Sequence, residues 1–327
     1  MFFKYIKLVL PLLFISSIFF VNQNLSTGCD TCGIGGFGGG QGSLRGQSAF
    51  SAQTQEKNQL SIGFLYEYQD WKHNDPIKAS LQNGEGRHGH SRRSDSIYNT
   101  IIGYGVTDKL TLTLQFPFVT RETRQTEDSD FIGQSERSSG QGDTIAFGKY
   151  RFYDKLFGAT AILGVKAPTG RTTETDKQGD RFEPEEQPGT GSMDFLFGLA
   201  MNKTFGKFTV NGSLLYQLKG SGTQDYEFGD IVRTSLMGAY TIKERGKYPG
   251  VQLLSGVNAQ FMEKDHENSE RVSDSGGTTV FFSPGLSSQF TDNLSASAAI
   301  MLPVLQNLGR DHQEVDSNIL FSIGYSF

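Results

Sequence analysis

The sequence predicts an all-β fold, a transmembrane antiparallel up-and-down β-barrel of about twelve strands, and three observations carry that reading. Apolar and polar residues alternate at period two in run after run, and the gaps between runs are in turn long and short. The run at 318–327 places Ile319, Phe321, Ile323, Tyr325 and Phe327 on one face and Asn318, Ser322, Gly324 and Ser326 on the other, because strand side chains alternate.

Composition agrees. Gly 40, Phe 26 and Tyr 12 stand against 9 Pro in 327 residues, and 36% of residues are hydrophobic. So low an apolar share excludes a helical membrane protein but suits a barrel, whose lipid face is diluted by a polar lumen and long loops. Residues 1–28 read as an export signal. Lys4 and Lys7 supply charge, 8–21 form an apolar core, and Ser26, Thr27 and Gly28 make a small-residue cleavage site. The apolar core is short for spanning about 30 Å of hydrocarbon. Cleavage removes two lysines and no acid, moving the formal charge from −5 to −7; an acidic chain argues against nucleic acid as a partner. Cys29 and Cys32 follow that site, and three readings stand for them: a disulfide or redox pair, a lipid on Cys29, or an inert tail. Gly33 in place of His excludes haem attachment, and the Gly-rich stretch 33–46 gives no βαβ context for a thioredoxin-like centre. The expected organisation is a signal peptide over 1–28, a Gly-rich periplasmic segment or plug over 29–57, and an outer-membrane barrel over 58–327.

In chain order, Leu60, Ile62, Phe64, Tyr66 and Tyr68 alternate with Ser61, Gly63, Leu65, Glu67 and Gln69 to give the first strand. The second passes through Tyr98, Ile102 and Tyr104, and only Thr107, Asp108 and Lys109 join it to the third, where Leu110, Leu112, Leu114, Phe116 and Phe118 form a lipid-type face. Long polar gaps lie at about 72–93, 121–141, 169–190, 220–225, 264–275 and 306–315, and shorter ones at 154–155, 205–207, 243–250 and 291–293. Strict alternation of this kind predicts short turns at the periplasmic side and long loops outside, with strands of roughly ten to thirteen residues that suit a tilted membrane crossing. Tyr325 and Phe327 on the closing strand are the candidate signal for the barrel assembly machinery. The expected location is the outer membrane of a Gram-negative bacterium, with outer-membrane lipid as surroundings.

The stretch 104–110, running into Gln115, Phe116, Pro117 and Phe118, is echoed at 165–170 and by Met301, Leu302, Pro303 and Val304. This punctuation resembles the outer-membrane channel family named for the meta-pathway of phenol degradation, a distant relative of the outer-membrane long-chain fatty-acid transporters. The resemblance covers most of 58–327 and implies a barrel that passes small, often hydrophobic compounds inward. Independently of the family, each Pro is expected to mark the end of pairing or a bulge, since it lacks an N–H.

Alternation selects Glu67, Lys149, Arg151, Lys166, Asp194, Asn211, Gln217, Arg233, Asn258 and Gln260 as lumen candidates. In a narrow barrel such charges either pair across the interior as a structural network or line a selective pore. Between them Thr111, Thr113, Gly158, Thr160, Gly164, Ser213, Ser295 and Ser297 make a small or mildly polar lumen. The five histidines, His73, His88, His90, His266 and His312, fall in expected outward loops, where solvated imidazoles are the default and a transition-metal or anion site at His88 and His90, beside Arg87, Arg92 and Arg93, is the lesser reading. The acidic loop with Glu174, Asp176, Asp180, Glu183, Glu185 and Glu186 lacks regular calcium-ligand spacing and is expected to be solvated. No Ser-His-acid arrangement is visible, so no enzyme and no cofactor are expected. Two function classes remain: a channel for a small-molecule solute, apolar or uncharged, and a structural or adhesion barrel with a plugged lumen and functional loops.

Overall fold

The computed structural model describes residues 51–72, 90–125, 134–243, 248–273, 275–308 and 314–327. The signal-type segment, the glycine-rich stretch with Cys29 and Cys32, and His73, His88 and His312 lie outside the described residues, as does the side chain of His90.

Twelve antiparallel staves form the ring. They are β1 (Leu60–Trp71), β2 (His90–Thr107), β3 (Leu110–Gln125), a fourth in two pieces, β4 (Ser135–Gln141) and β5 (Thr144–Asp154), then β6 (Gly158–Ala167), β7 (Asp194–Phe205) and β8 (Phe208–Leu218). After β9 (Tyr226–Glu227), which lies outside the ring, come β10 (Ile231–Lys243) and β11 (Gly250–Met262). The tenth stave is again in two pieces, β14 (Gly277–Phe282) and β15 (Gly285–Gln289), followed by β16 (Leu294–Leu308) and β17 (Val315–Ser326). The remaining short strands β12 (His266–Glu267) and β13 (Glu270–Arg271) join β9 in a separate three-stranded sheet that ties two outer loops together.

The ring closes because β17 pairs with β1 from Ser61↔Ser326 to Trp71↔Val315, and the Phe327 N–H donates to the Leu60 carbonyl at 2.8 Å. Closure is obligatory in lipid, where each unpaired backbone group costs several kcal/mol. The outward faces carry the large apolar residues: Leu112, Leu114, Phe116 and Phe118 are 38–50% exposed. Aromatic side chains gather at the short-turn end, among them Tyr104, Phe152, Phe205, Tyr240 and Phe290. No described helix is long and apolar enough to cross a membrane.

Prolines mark the breaks in pairing. The fourth stave is interrupted at Gly142 and Asp143 opposite Pro117, whose carbonyl accepts the Gly142 N–H at 2.9 Å. The tenth is interrupted at Ser283 and Pro284, and its partner bulges at Val304 beside Pro303, the register stepping between Val280↔Leu305 and Phe281↔Pro303.

Three expectations need correction. Much of 121–141 is a hairpin rather than a loop: β3 runs on to Gln125 and β4 pairs with it from Phe118↔Gln141 to Arg124↔Ser135. Threonine and arginine at 120–124 keep the two-residue period, so pairing continues past the lipid. On the same side β2 begins at His90, inside the expected gap 72–93. The loop 168–193 does not stand in solvent, because its second half folds into the barrel mouth and buries Phe182, Glu186, Gln187 and Thr190.

Candidate functional site

The interior follows from period two. Residues of one parity along each stave face inward, and they divide the lumen into a filled side and an open side.

On the filled side, inward Ile145, Phe147, Ile162, Leu196, Ala200 and Leu215 form an apolar cluster from β5 to β8, and Ala52 packs into it. The chain before β1 therefore enters the barrel. Thr160 Oγ1 donates to the Ala52 carbonyl at 2.6 Å, and the Gln55 N–H donates to Thr111 Oγ1 at 2.8 Å. Gly105 makes room for this segment, since a Cβ there would lie 1.9 Å from the Glu56 carbonyl oxygen. Across the lumen Leu65, Ile101 and Leu320 form a second apolar cluster.

A buried polar network runs along the outer end of β5 to β10. Lys166 Nζ lies 2.9 Å from Asp194 Oδ2 and 3.4 Å from Asp143 Oδ2. Gln217 Nε2 donates to Asp194 Oδ2 at 2.8 Å, and Arg233 Nη1 donates to Gln217 Oε1 at 3.0 Å. Lys219 Nζ is 3.5 Å from Asp194 Oδ2. Asp143 also fastens the inserted loop, because its Oδ1 accepts the Gly170 N–H at 2.8 Å while its Oδ2 accepts the Thr190 N–H at 2.8 Å and hydroxyl at 2.7 Å. The two arms of the loop touch at this neck: a Cβ on Gly170 would lie 2.6 Å from the Gly189 Cα.

The tip of the same loop covers a second charged group. Arg92 and Arg121 point inward from β2 and β3, 8% and 3% exposed, around Asp95. Glu186 is buried beside them; burial first, then Glu183, holds its carboxyl well above the ordinary carboxylate range, with Arg92 and Arg121 pulling the other way. Tyr226, at the root of the outer sheet, donates its hydroxyl to Asp265 Oδ2 at 2.7 Å and to Glu185 Oε1 at 3.1 Å. Its phenol is pushed up by burial and then by those two carboxylates.

The open side is the inward face of β11, β15 and β16. Gln252, Asn258, Gln260, Ser295, Ser297 and Met301 are half-buried there, whereas inward residues of β5 to β7 are almost wholly covered. At the short-turn end this face widens into a cavity of about 430 Å³ lined by inward Thr204, Thr209, Thr241, Gln252, Ser287 and Gln289, with Lys207 and Lys243 at its rim. Hydroxyl and amide groups line it, and no carboxylate does.

Of the residues singled out from sequence, the structure joins Lys166, Asp194, Gln217 and Arg233 in one network. Glu67 stands apart and accepts from Asn318 Nδ2 at 2.6 Å. Lys149 is buried on the inward face of β5, and Arg151 sits lower, 2.5 Å from Asp154 at the short turn. Asn211 faces inward from β8. Asn258 Nδ2 donates to Ser283 Oγ at 2.8 Å, and Gln260 neighbours Met262. His266 lies in β12 opposite Glu227 and Arg271. Sequence reasoning missed Asp143, Lys219, Arg121 and Asp95, which fell in or beside segments taken as polar gaps, and it placed Arg92 only as a neighbour of the metal or anion reading at His88 and His90. It also missed the inward apolar clusters; apolar Leu65 and Ile101 at small-residue positions of their strands were the visible signal.

Solved structures share this architecture. An outer-membrane channel from Pseudomonas putida F1 superposes with a TM-score of 0.60 at 16% identity, over 84% of this chain and 98% of that one. The CymD monoaromatic hydrocarbon channel matches at 12% identity with a TM-score of 0.43, over 94% and 98%. A Pseudomonas aeruginosa FadL homologue matches at 11% with 0.41, over 94% and 99%. The first likeness carries the outer-membrane barrel fold, and the other two carry nothing further. No curated protein matches the chain. The family described as putative MetA-pathway of phenol degradation matches residues 98–304, more than half of the sequence, and the chain belongs to that family.

Proposed function

We propose that this barrel is a channel that carries small apolar or uncharged molecules across the outer membrane, and that it is not an enzyme. The observation that carries the reading is the half-exposed inward side chains of β11 and β16, Gln260, Asn258, Ser297 and Ser295, with the cavity at the short-turn end beyond them. Apart from Met301 and the two lysines at the cavity's rim, neutral hydroxyl and amide groups line this path. A pore for a strongly charged solute presents one sign of charge along its route, whereas Lys166, Lys219 and Arg233 are held in one network with Asp143 and Asp194. Family membership agrees with the reading, and so does the outer-membrane channel of similar fold, by analogy of fold. Residues 1–28 act as a cleaved export signal, outer-membrane lipid surrounds the barrel, and the assembly machinery reads Tyr325 and Phe327 on β17.

A second reading is favoured by one observation: residues 51–56 and the loop 168–193 occupy the filled side, as a plugged structural or adhesion barrel requires. Single-channel recording and liposome swelling on the mature chain, and on a chain lacking 29–55, separate the two. The channel reading expects uptake of neutral solutes by the mature chain and a larger conductance after the deletion. Silence of both proteins would hand the case to the structural reading.

A further inference from the structure

Two guanidinium groups are buried at the outer end of the lumen, and each needs compensating oxygens. Asp95 supplies one carboxylate to both: its Oδ2 lies 3.2 Å from Arg121 Nη1 and 3.7 Å from Arg92 Nη1, and accepts Trp71 Nε1 at 3.3 Å. On the barrel wall the two guanidinium groups thus meet at this carboxylate. The inserted loop supplies further oxygens. Arg92 Nη2 donates to the Glu185 carbonyl, and Arg121 Nε donates to the Gln187 carbonyl at 3.3 Å.

Between these two carbonyls Glu186 is buried beside both arginines, so the loop tip presents the pair with two backbone oxygens and a carboxyl group of its own. A free carboxylate brings the same chemistry as the Glu186 carboxyl, an opposite charge and two acceptor oxygens that match the guanidinium fork, so it is the occupant that can take the loop's place. The wall beside the pair is apolar. Trp71, with the Arg92 guanidinium 5.4 Å above its ring, packs against Phe281 and Val315, with Met301 behind them.

We propose that Arg92 and Arg121, with the Trp71 wall, form an outer subsite for a carboxylate carried on a small apolar body, and that residues 185–187 of the loop fill it when the loop is docked. The subsite's place on a permeation path rests on the channel reading; the binding chemistry does not. A ligand that takes both arginines must displace the loop tip, so occupancy and loop release are one event.

The test uses the intact barrel in detergent, with benzoate as the probe and benzyl alcohol as its neutral counterpart. Calorimetric titration is expected to show saturable benzoate binding that weakens at least tenfold in Arg121→Gln, while benzyl alcohol does not distinguish the two proteins. Benzoate is also expected to speed tryptic cleavage after Arg181, which is exposed on the loop. Heat-modifiable gel migration establishes that the variant is folded; if it does not assemble, Arg92→Gln is measured in its place. The proposal is overturned if wild-type protein binds no benzoate, if Arg121→Gln binds it equally well, or if benzoate protects the loop. Those results in a barrel that still conducts neutral solutes remove the subsite and leave the channel; arginine-dependent binding in a silent barrel does the reverse.

Discussion

Asp143 holds both arms of the inserted loop and is itself held by Lys166, so its carboxylate is the joint between barrel wall and loop. Asp143→Ala leaves two N–H groups and part of a buried ammonium without their partner, a loss of about 3–5 kcal/mol for breaking a buried pair. The expected outcome is a folded barrel whose loop is cut by trypsin after Arg171 and Arg181 many times faster than in wild type; equal cutting rates would contradict it. Glu186 sets a pH dependence with a definite sign. Its carboxyl is raised above the ordinary 4.5 in the docked loop, so the docked state binds more protons than the undocked one. Docking is then fullest at acidic pH and weakens as pH rises from about 4.5 through the raised value. Amide exchange across 182–190 should quicken from pH 5 to pH 8 beyond its intrinsic rise, and Glu186→Gln should abolish the excess. Neither residue was legible as a joint. Asp143 meets Gly170 and Thr190, 27 and 47 positions away, and no period connects a stave to the loop that covers it.

At the scale of the element, the strands were the most legible part, because period two is imposed by backbone geometry and the lipid face selects large side chains. Their outer ends were not: β3 and β4 keep pairing where Thr123, Arg124 and Ser139 look like loop residues, since nothing outside the lipid demands an apolar face. The closing strand makes a specific prediction. Tyr325 and Phe327 are 43% and 64% exposed on the lipid side and stack edge to face at 4.9 Å. Replacing both with Ser removes about 3–5 kcal/mol of lipid-side burial, besides the proposed assembly signal. Far less heat-modifiable barrel should reach the membrane than after the same double change at loop positions, and normal levels would count against the role of β17. The segment ahead of β1 gives another. Gly105→Ala puts a methyl group within 1.9 Å of the Glu56 carbonyl, so residues 55–57 must leave the wall while the ladder between β2 and β3 stays intact. Conductance above wild type is expected in planar bilayers; an unchanged trace would mean that this segment does not limit the path.

For the whole molecule, the ring of twelve staves leaves a lumen with one side packed by loop and leading segment and the other open along β11, β15 and β16. Alternation alone indicated which residues face inward, and Lys166, Asp194 and Arg233 do meet there. It did not indicate that the interior would be uneven, because the packing of one side depends on residues 51–56 and 168–193 folding back across it. An uneven lumen has a functional consequence: Lys166, Asp194 and Arg233 are tied up on the filled side, and the path that remains is lined by hydroxyl and amide groups down to Lys207 and Lys243 at the cavity's rim. The measurement that tests this most directly is uptake by cells with and without the gene of a matched set of solutes, comprising neutral aromatic, neutral aliphatic and hydrophilic ionic compounds of similar size. Uptake of the neutral apolar members should fall severalfold on loss of the gene and return with it, while that of hydrophilic ions stays the same. Dependence confined to the hydrophilic ions would contradict the account.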